Sequence, residues 1–310
     1  MSRVVNIIYN TISGNSRRNG NVPIIGCNSN YGHEYWIKKY SKWKHPVYGV
    51  IEHGVYFGRN TNMVGDARDY LLKKIITFGD YREETLGMAF PEHSVIKIGP
   101  RIAYAETDSK FLKQLEEEAK GEKVLTLFPA HSLENFKCEY DVDYLISQAR
   151  NVMVKYKLKR LRICLKEQDM VNGTAELFNR MGCTVVTAGE ASIDFLPRLR
   201  AIIEASDVTM SNSLGTHLGY CIYLHKPHIL IKQNRTHTGL GKDFVKEYEI
   251  CKSREKQFQK EEKMFLNYFS SDNAMYITEE QYELCDYYWG FRHVKKPSEM
   301  YKALESLYRS

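Results

Sequence analysis

Short apolar runs alternate with amphipathic stretches along the second half of the chain. Strands are expected at 124–128, 161–165, 184–187, 208–211 and 227–231, and helices at 142–156, 173–181, 194–205 and 216–224. Strands with apolar residues on both faces, separated by helices of this length, make a parallel sheet covered on two sides, because each crossover packs a helix against the sheet. The expected fold class is therefore α/β, with a doubly wound domain over 123–235. In such a domain ligands bind outside the carboxyl ends of the strands.

The first half is less regular. Residues 4–9 fit a strand, and 13–21, rich in Gly, Ser, Asn and Arg, fit a loop. An apolar run at 47–51 ends in Glu52-His53-Gly54; a helix end or basic turn at 70–77 passes into a strand at 74–78; and 95–98 is a strand closed by Gly99-Pro100. The charged stretch 109–122 suits a surface helix or linker between domains. The expected division is an N-terminal domain over 1–115, the doubly wound domain over 123–235, and a helical tail over 243–310 that packs back on both. No repeat of solenoid length is visible.

Composition narrows the class. With 43% hydrophobic and 26% charged residues the 310-residue chain is globular, and its length favours two domains. The 22 tyrosines point to well-packed surfaces or to carbohydrate and base contacts. Lys and Arg outnumber Asp and Glu by 44 to 38, a net charge of +6 that suits an anionic substrate or a phospholipid surface; it is too mild and scattered for nucleic-acid binding. The seven cysteines lie far apart with no CxxC pair, which argues for a reducing cytoplasm and against a zinc site or a disulfide framework. No run reaches the roughly 18 apolar residues of a membrane span, so membrane contact is expected to be peripheral, at the inner face of the plasma membrane.

Candidate chemistry sits at the strand ends. Ser211, Asn212, Ser213, Gly215 and Thr216 follow one strand and open a helix, where hydroxyls, small residues and backbone N–H groups form a seat for phosphate. The same residues also read as ordinary N-capping. His131 and Ser132 end the first strand of that sheet, as phosphate or leaving-group contacts or as plain loop residues. Lys166 is placed to neutralise phosphate, and Gly189 leaves room for a base or ribose. In the first half, Glu52 and His53 on a glycine turn are alternative general bases facing the cleft, with Gly54 admitting substrate; a polar turn without a role is the other reading. Arg101, after Gly99-Pro100, is a candidate for holding an anionic sugar, or is simply solvated. His225-Lys226-Pro227-His228 reads as a helix exit turn rather than a metal pair.

The segment SDVTMSNSLGTHLGYCIYLHKPHI resembles the end of the donor-binding domain of GT-B glycosyltransferases, where a Ser- or Thr-bearing turn precedes a helix and a "GKP"-like lead-in to a strand. EHGVYFG, KIGPRIAYAE and LFPAHSLE resemble segments of glycosyltransferase-like proteins from bacterial capsule and surface-polysaccharide loci; together these pieces cover about residues 48–232. A more distant similarity is to bacterial sialyltransferases, Kdo transferases and teichoic-acid glycerophosphotransferases, which use cytidine nucleotides. His131 here follows Ala130 rather than preceding the proline of an HP motif. The resemblance implies two Rossmann-like domains facing a cleft, with Glu52 or His53 as base, His131 at the donor phosphate or leaving group, and Ser211, Ser213 and Thr216 as phosphate seat. It further implies inverting, metal-independent transfer of a sugar, without a cofactor, from a CMP- or UDP-linked donor to a hydroxyl of a bacterial surface glycan or lipid-linked glycan. The alternatives are a nucleotide-sugar epimerase or polyol-phosphate transferase of the same fold, and a non-catalytic binding subunit.

Overall fold

The computed structural model describes residues 26–61, 73–132, 136–239, 255–270 and 275–309. The stretches expected at 4–9 and 13–21 lie outside them, as does the basic turn before 73. After a 3-10 segment, Gly26–Gly32, come helix α1 (His33–Ser41) and strands β1 (Val50–Ile51) and β2 (Lys74–Thr77). Helix α2 (Asp80–Ala89), strand β3 (Ser94–Lys97), the 3-10 turn Arg101–Tyr104 and helix α3 (Ser109–Ala119) follow. The first sheet is parallel, in the order β1-β2-β3.

The second sheet starts at β4 (Val124–Phe128), followed by β5 (Phe136–Glu139), α4 (Val142–Tyr156), β6 (Arg160–Cys164), α5 (Glu167–Val171) and α6 (Thr174–Arg180). Next come β7 (Thr184–Val186), α7 (Phe195–Glu204), β8 (Val208–Ser211), α8 (Thr216–Tyr223), β9 (His228–Leu230) and β10 (Thr236–Gly239). Helices α9 (Glu255–Tyr268), α10 (Glu279–Trp289) and α11 (Pro297–Arg309) form the tail.

All neighbours in the second sheet are parallel and the order is β7-β6-β4-β8-β9. The chain therefore winds outward in one direction from β4 and in the other from β8, so a crevice opens between the carboxyl ends of these two strands. Those ends are level, with Phe128 paired to Ser211. Every residue of β4 is buried, as a strand covered on both faces requires. Its polar Thr126 meets the Ser206 hydroxyl at 2.6 Å, which removes the cost of burying an unpaired oxygen. β5 and β10 form a separate antiparallel pair beyond β4 and β9, which strand periodicity did not indicate.

The stretch expected as a surface helix or linker is the packed helix α3. Asp108 caps it by accepting from the Phe111 N–H at 2.9 Å, and Phe111, Leu115 and Ala119 are buried against α7. The tail does pack back. One apolar cluster joins Phe78 and Tyr81 of the first half, Phe128 and Leu218 around the second sheet, and Phe265 and Trp289 of the tail. A second lies on the other face of the β4 sheet under α4, and a third seats Met300, Leu304 and Leu307 of α11 against Ile37 and Ile76. Among the described residues no helix is long and apolar enough to cross a membrane.

Candidate functional site

The crevice between β4 and β8 is closed at one end by α8. Its N-cap is Gly215, extended at φ −156°, and no side chain caps the helix. The N–H groups of the first turn therefore lack the side-chain oxygen that usually satisfies them, and with the helix dipole behind them they favour an anion. The N-capping reading of the Ser and Asn residues does not hold, because they do other work. Ser211 is buried, with its hydroxyl 3.0 Å from the Ser213 carbonyl and 2.9 Å from His228 Nε2. Asn212 is buried too: Oδ1 accepts from the Ala130 N–H at 2.7 Å and Nδ2 donates to Gln233 Oε1 at 2.6 Å. It fastens the two loops that border the crevice. Ser211 and Asn212 thus shape the seat without presenting side chains to a ligand, a correction to their expected role; Ser213, Gly215 and Thr216 remain at its rim.

Histidines line the same place. His217, the second residue of α8, stacks on Phe128 with ring centroids 5.3 Å apart, and its Nε2 is enclosed with no hydrogen-bond partner. Burial and then His131 push its pKa down to about 3. His131 is open to solvent yet closely surrounded by protein, as expected of a side chain inside a crevice; burial and Lys166 push it down to about 4, against Asp169, with a further push from His237 of β10. Both rings are neutral at pH 7, so each offers an anion an N–H dipole, not a charge. Ser132 does not join them: it is buried, its hydroxyl accepts from the Cys138 N–H at 3.2 Å, and its own N–H donates to Asp169 at 3.1 Å. Lys166 stands at the N-cap of α5, just past β6, and Gly189, just past β7, takes a left-handed turn at φ 85°.

The loop after β1 faces the crevice from the other lobe. The Val55 N–H donates to Thr216 Oγ1 at 3.1 Å, and a β-carbon on Gly54 would stand 2.7 Å from that oxygen. Glycine is needed at 54 because α8 itself comes close, where the sequence suggested room for substrate. Glu52 and His53 then part company. Glu52 is fully buried; Arg82 reaches its two oxygens at 2.6 and 3.1 Å, and Thr77 also donates to it. A carboxylate so enclosed meets no substrate hydroxyl, so the expectation for Glu52 is corrected to a structural one. His53 is partly exposed, with the Asn30 amide 3.5 Å from its Nε2 and the rings of His33 and Tyr31 at 5.9 and 6.4 Å.

Arg101 is likewise buried. Its guanidinium donates to the carbonyls of Gly99, Ile76 and Thr77 at 2.6, 3.1 and 3.2 Å and lies 4.1 Å from the centre of the Phe78 ring. It ties strand ends together and is not a substrate contact. His228 has Nδ1 and Nε2 each 2.9 Å from a hydroxyl, those of Thr209 and Ser211, beyond the left-handed His225 of the helix exit turn.

The tail fixes this geometry. Trp289 Nε1 donates to the Thr216 carbonyl at 3.0 Å, and its indole covers Gly219 so closely that a β-carbon there would be 2.1 Å from the ring. Glu261 of α9 accepts from the Gly58 N–H at 2.6 Å and from the Tyr81 hydroxyl at 2.9 Å, which holds the loop that carries His53.

No protein-family model matches the chain, and no curated protein does. Several solved structures are similar to it at a distance. The pneumococcal O-GlcNAc transferase GtfA, in complex with UDP and GlcNAc, is 12% identical with a TM-score of 0.39, over 84% of this chain and 52% of that one. A UDP-glucose:anthocyanidin 3-O-glucosyltransferase in complex with UDP is 10% identical with a TM-score of 0.33, over 92% and 69%. Phytolacca americana UGT2, complexed with UDP-2fluoro-glucose and pterostilbene, is 13% identical with a TM-score of 0.31, over 88% and 64%. The chain spans about half the length of the first of these, 52%.

Several residues of this site do not stand out in the sequence pattern. His217 directly follows the Ser211–Thr216 turn, whose signal in the sequence is its hydroxyls, small residues and backbone N–H groups. Arg82 follows the β2 strand end by a few residues, and a buried cation there was the available sign that Glu52 had a partner. Asn30 and Tyr31 carry no periodic signal, since they lie in a 3-10 turn with a left-handed Tyr31 at φ 56°, and His33 is the first residue of α1. Among the described residues, no group of three or more His, Cys, Asp or Glu is arranged to hold a metal.

Proposed function

We propose that the chain is a GT-B-type glycosyltransferase, with an N-terminal acceptor-side domain over 1–115, a donor-binding domain over 123–235 and a helical tail over 243–310. It moves a sugar from a CMP- or UDP-linked donor to a hydroxyl of a bacterial surface glycan or lipid-linked glycan. The observation that supports this reading is the contact of the His53-Gly54-Val55 loop with Thr216, in which the Val55 N–H, two residues from His53, meets the first residue of the uncapped helix.

In the reaction, the acceptor hydroxyl takes the place of the Asn30 amide, which stands 3.5 Å from His53 Nε2, and gives its proton to the lone pair on that nitrogen. The acceptor oxygen attacks the anomeric carbon from the face opposite the leaving group, which inverts it. The bond from that carbon to the phosphate oxygen breaks, and its electron pair leaves with the phosphate. The N–H groups at Thr216 and His217, with the neutral rings of His217 and His131, meet the charge that grows on the phosphate, in a place arranged beforehand. Lys166 adds a cation at the edge, and Gly189 leaves space beside the next strand for base or ribose. The cell site that fits is the cytoplasmic face of the plasma membrane, with any attachment peripheral.

The test is a thermal-shift screen against CMP, CDP, UDP and GDP, followed by donor turnover with His53→Ala. A ligand that binds only the folded form raises its melting temperature. One nucleotide should stand out, and His53→Ala should keep that shift and lose turnover. No shift with any nucleotide would refute the donor site, and undiminished turnover in His53→Ala would remove its role as base.

A further inference from the structure

A groove of about 880 Å³ runs along the outer edge of the second sheet, between α4, α9 and the edge strand β9. Its lining shares no residue with the crevice described above. We propose that this groove binds an acidic oligosaccharide, independently of transfer at the crevice.

Charge is the first argument. Lys155, Lys232 and Lys263 line the groove, and Glu262 is the single carboxylate among the lining residues. Glu262 is already taken by Arg235, with N and O 2.5 Å apart. Among the described residues Lys232 and Lys263 enter no ion pair, and both are exposed. The groove therefore presents a net positive surface whose one anion is neutralised from outside, which complements a chain of carboxylates or sulfates.

The remaining lining separates a glycan from other anions. Gln148, Asn151 and Asn267 line the groove with side-chain amides, each with a donor and an acceptor end that suit the hydroxyls of a pyranose, while Gln259, also in the lining, donates its Nε2 to Glu255 at 3.1 Å. Tyr144, largely exposed, gives one end an aromatic face on which a sugar ring can lie. The groove is concave, so a strand-like ligand enters it, whereas a flat bilayer would touch only its rims. Gln233, next to Lys232 in sequence, accepts from Asn212 and donates to the Asp141 carbonyl, each at 2.6 Å.

The experiment is calorimetric titration of the full chain with hexagalacturonate, with neutral maltohexaose as control and phosphatidylglycerol vesicles as a lipid control. Hexagalacturonate should bind, maltohexaose should not, and the double variant Lys232→Glu/Lys263→Glu should weaken binding about tenfold or more without lowering the melting temperature. Raising the ionic strength should weaken it too. His53→Ala should bind as the wild type does, which keeps this proposal separate from the fate of the transferase reading. Absence of hexagalacturonate binding, equal binding of maltohexaose, or indifference to the double variant would overturn it. So would lysine-dependent capture of the vesicles in place of the saccharide, which would assign the groove to lipid headgroups.

Discussion

Arg82 on α2 grips Glu52 just past β1: its Nη2 stands 2.6 Å and its Nε 3.1 Å from the two carboxylate oxygens, with both side chains shielded from water. The same guanidinium donates to the carbonyls of Tyr56 and Asn60 at 3.1 and 2.9 Å, so it holds the whole loop that presents His53. Removing one member of a buried pair leaves the other charge uncompensated, at a cost of about 3–5 kcal/mol. Arg82→Met is expected to destabilise by that order in urea unfolding, and Glu52→Gln to lower stability as well. Their activity loss should follow the folded fraction. A Glu52→Gln variant of native stability but without turnover would return Glu52 to the role of base.

His53 should behave in the opposite way. A positioned base contributes roughly 10²–10⁴-fold to rate, so His53→Ala is expected to reduce kcat by about that factor while nucleotide affinity and melting temperature stay put. Gly54→Ala should also lose activity, because its β-carbon meets Thr216 Oγ1 and pushes the loop off the helix end. Steady-state kinetics beside a nucleotide titration separates the two effects.

Trp289 and Gly219 form a tight seam between the tail and α8. Gly219→Ala is expected to cost about 1–3 kcal/mol by overpacking. Because Trp289 also holds the Thr216 carbonyl, the variant should bind nucleotide more weakly even where it is folded. Chemical denaturation and calorimetry on one preparation check both statements. Unchanged affinity would mean that the tail does not set the position of α8.

Acid should loosen the fold. His131 and His217 titrate at about 4 and about 3 in the folded chain, and burial depresses His33 and His228 well below their usual range. Unfolded imidazoles titrate near 6.5, so between that value and the folded ones the unfolded chain holds more protons. Stability then rises with pH across this window and is lost as pH falls from about 6.5 toward 4. Melting temperature measured from pH 7 to pH 4.5 should fall, and His217→Phe should flatten the slope. A level profile would show that these rings are protonated in the fold.

The second sheet was legible because β4, β8 and β9 are buried along their whole length, so burial wrote short, mostly apolar runs into the sequence. Val124–Phe128 and Val208–Ser211 fall where the pattern put them, as does the helix Val142–Tyr156. The exposed β10, Thr-His-Thr-Gly, carries no such run, and its pairing with β5 depends on long-range contact. In the first half, β1 is only two residues long, too short for a period. Which side chains face the crevice was not legible, because Glu52, Arg101, Ser211 and Asn212 are polar residues consumed by buried partners, and a sequence does not show partners distant along the chain.

The most direct test is a crystal structure of the chain with the nucleotide that the thermal screen selects. The account predicts a phosphate within hydrogen-bond reach of the N–H groups at Thr216 and His217, with His53 across the crevice from it. A phosphate bound elsewhere, with α8 bare, would contradict it.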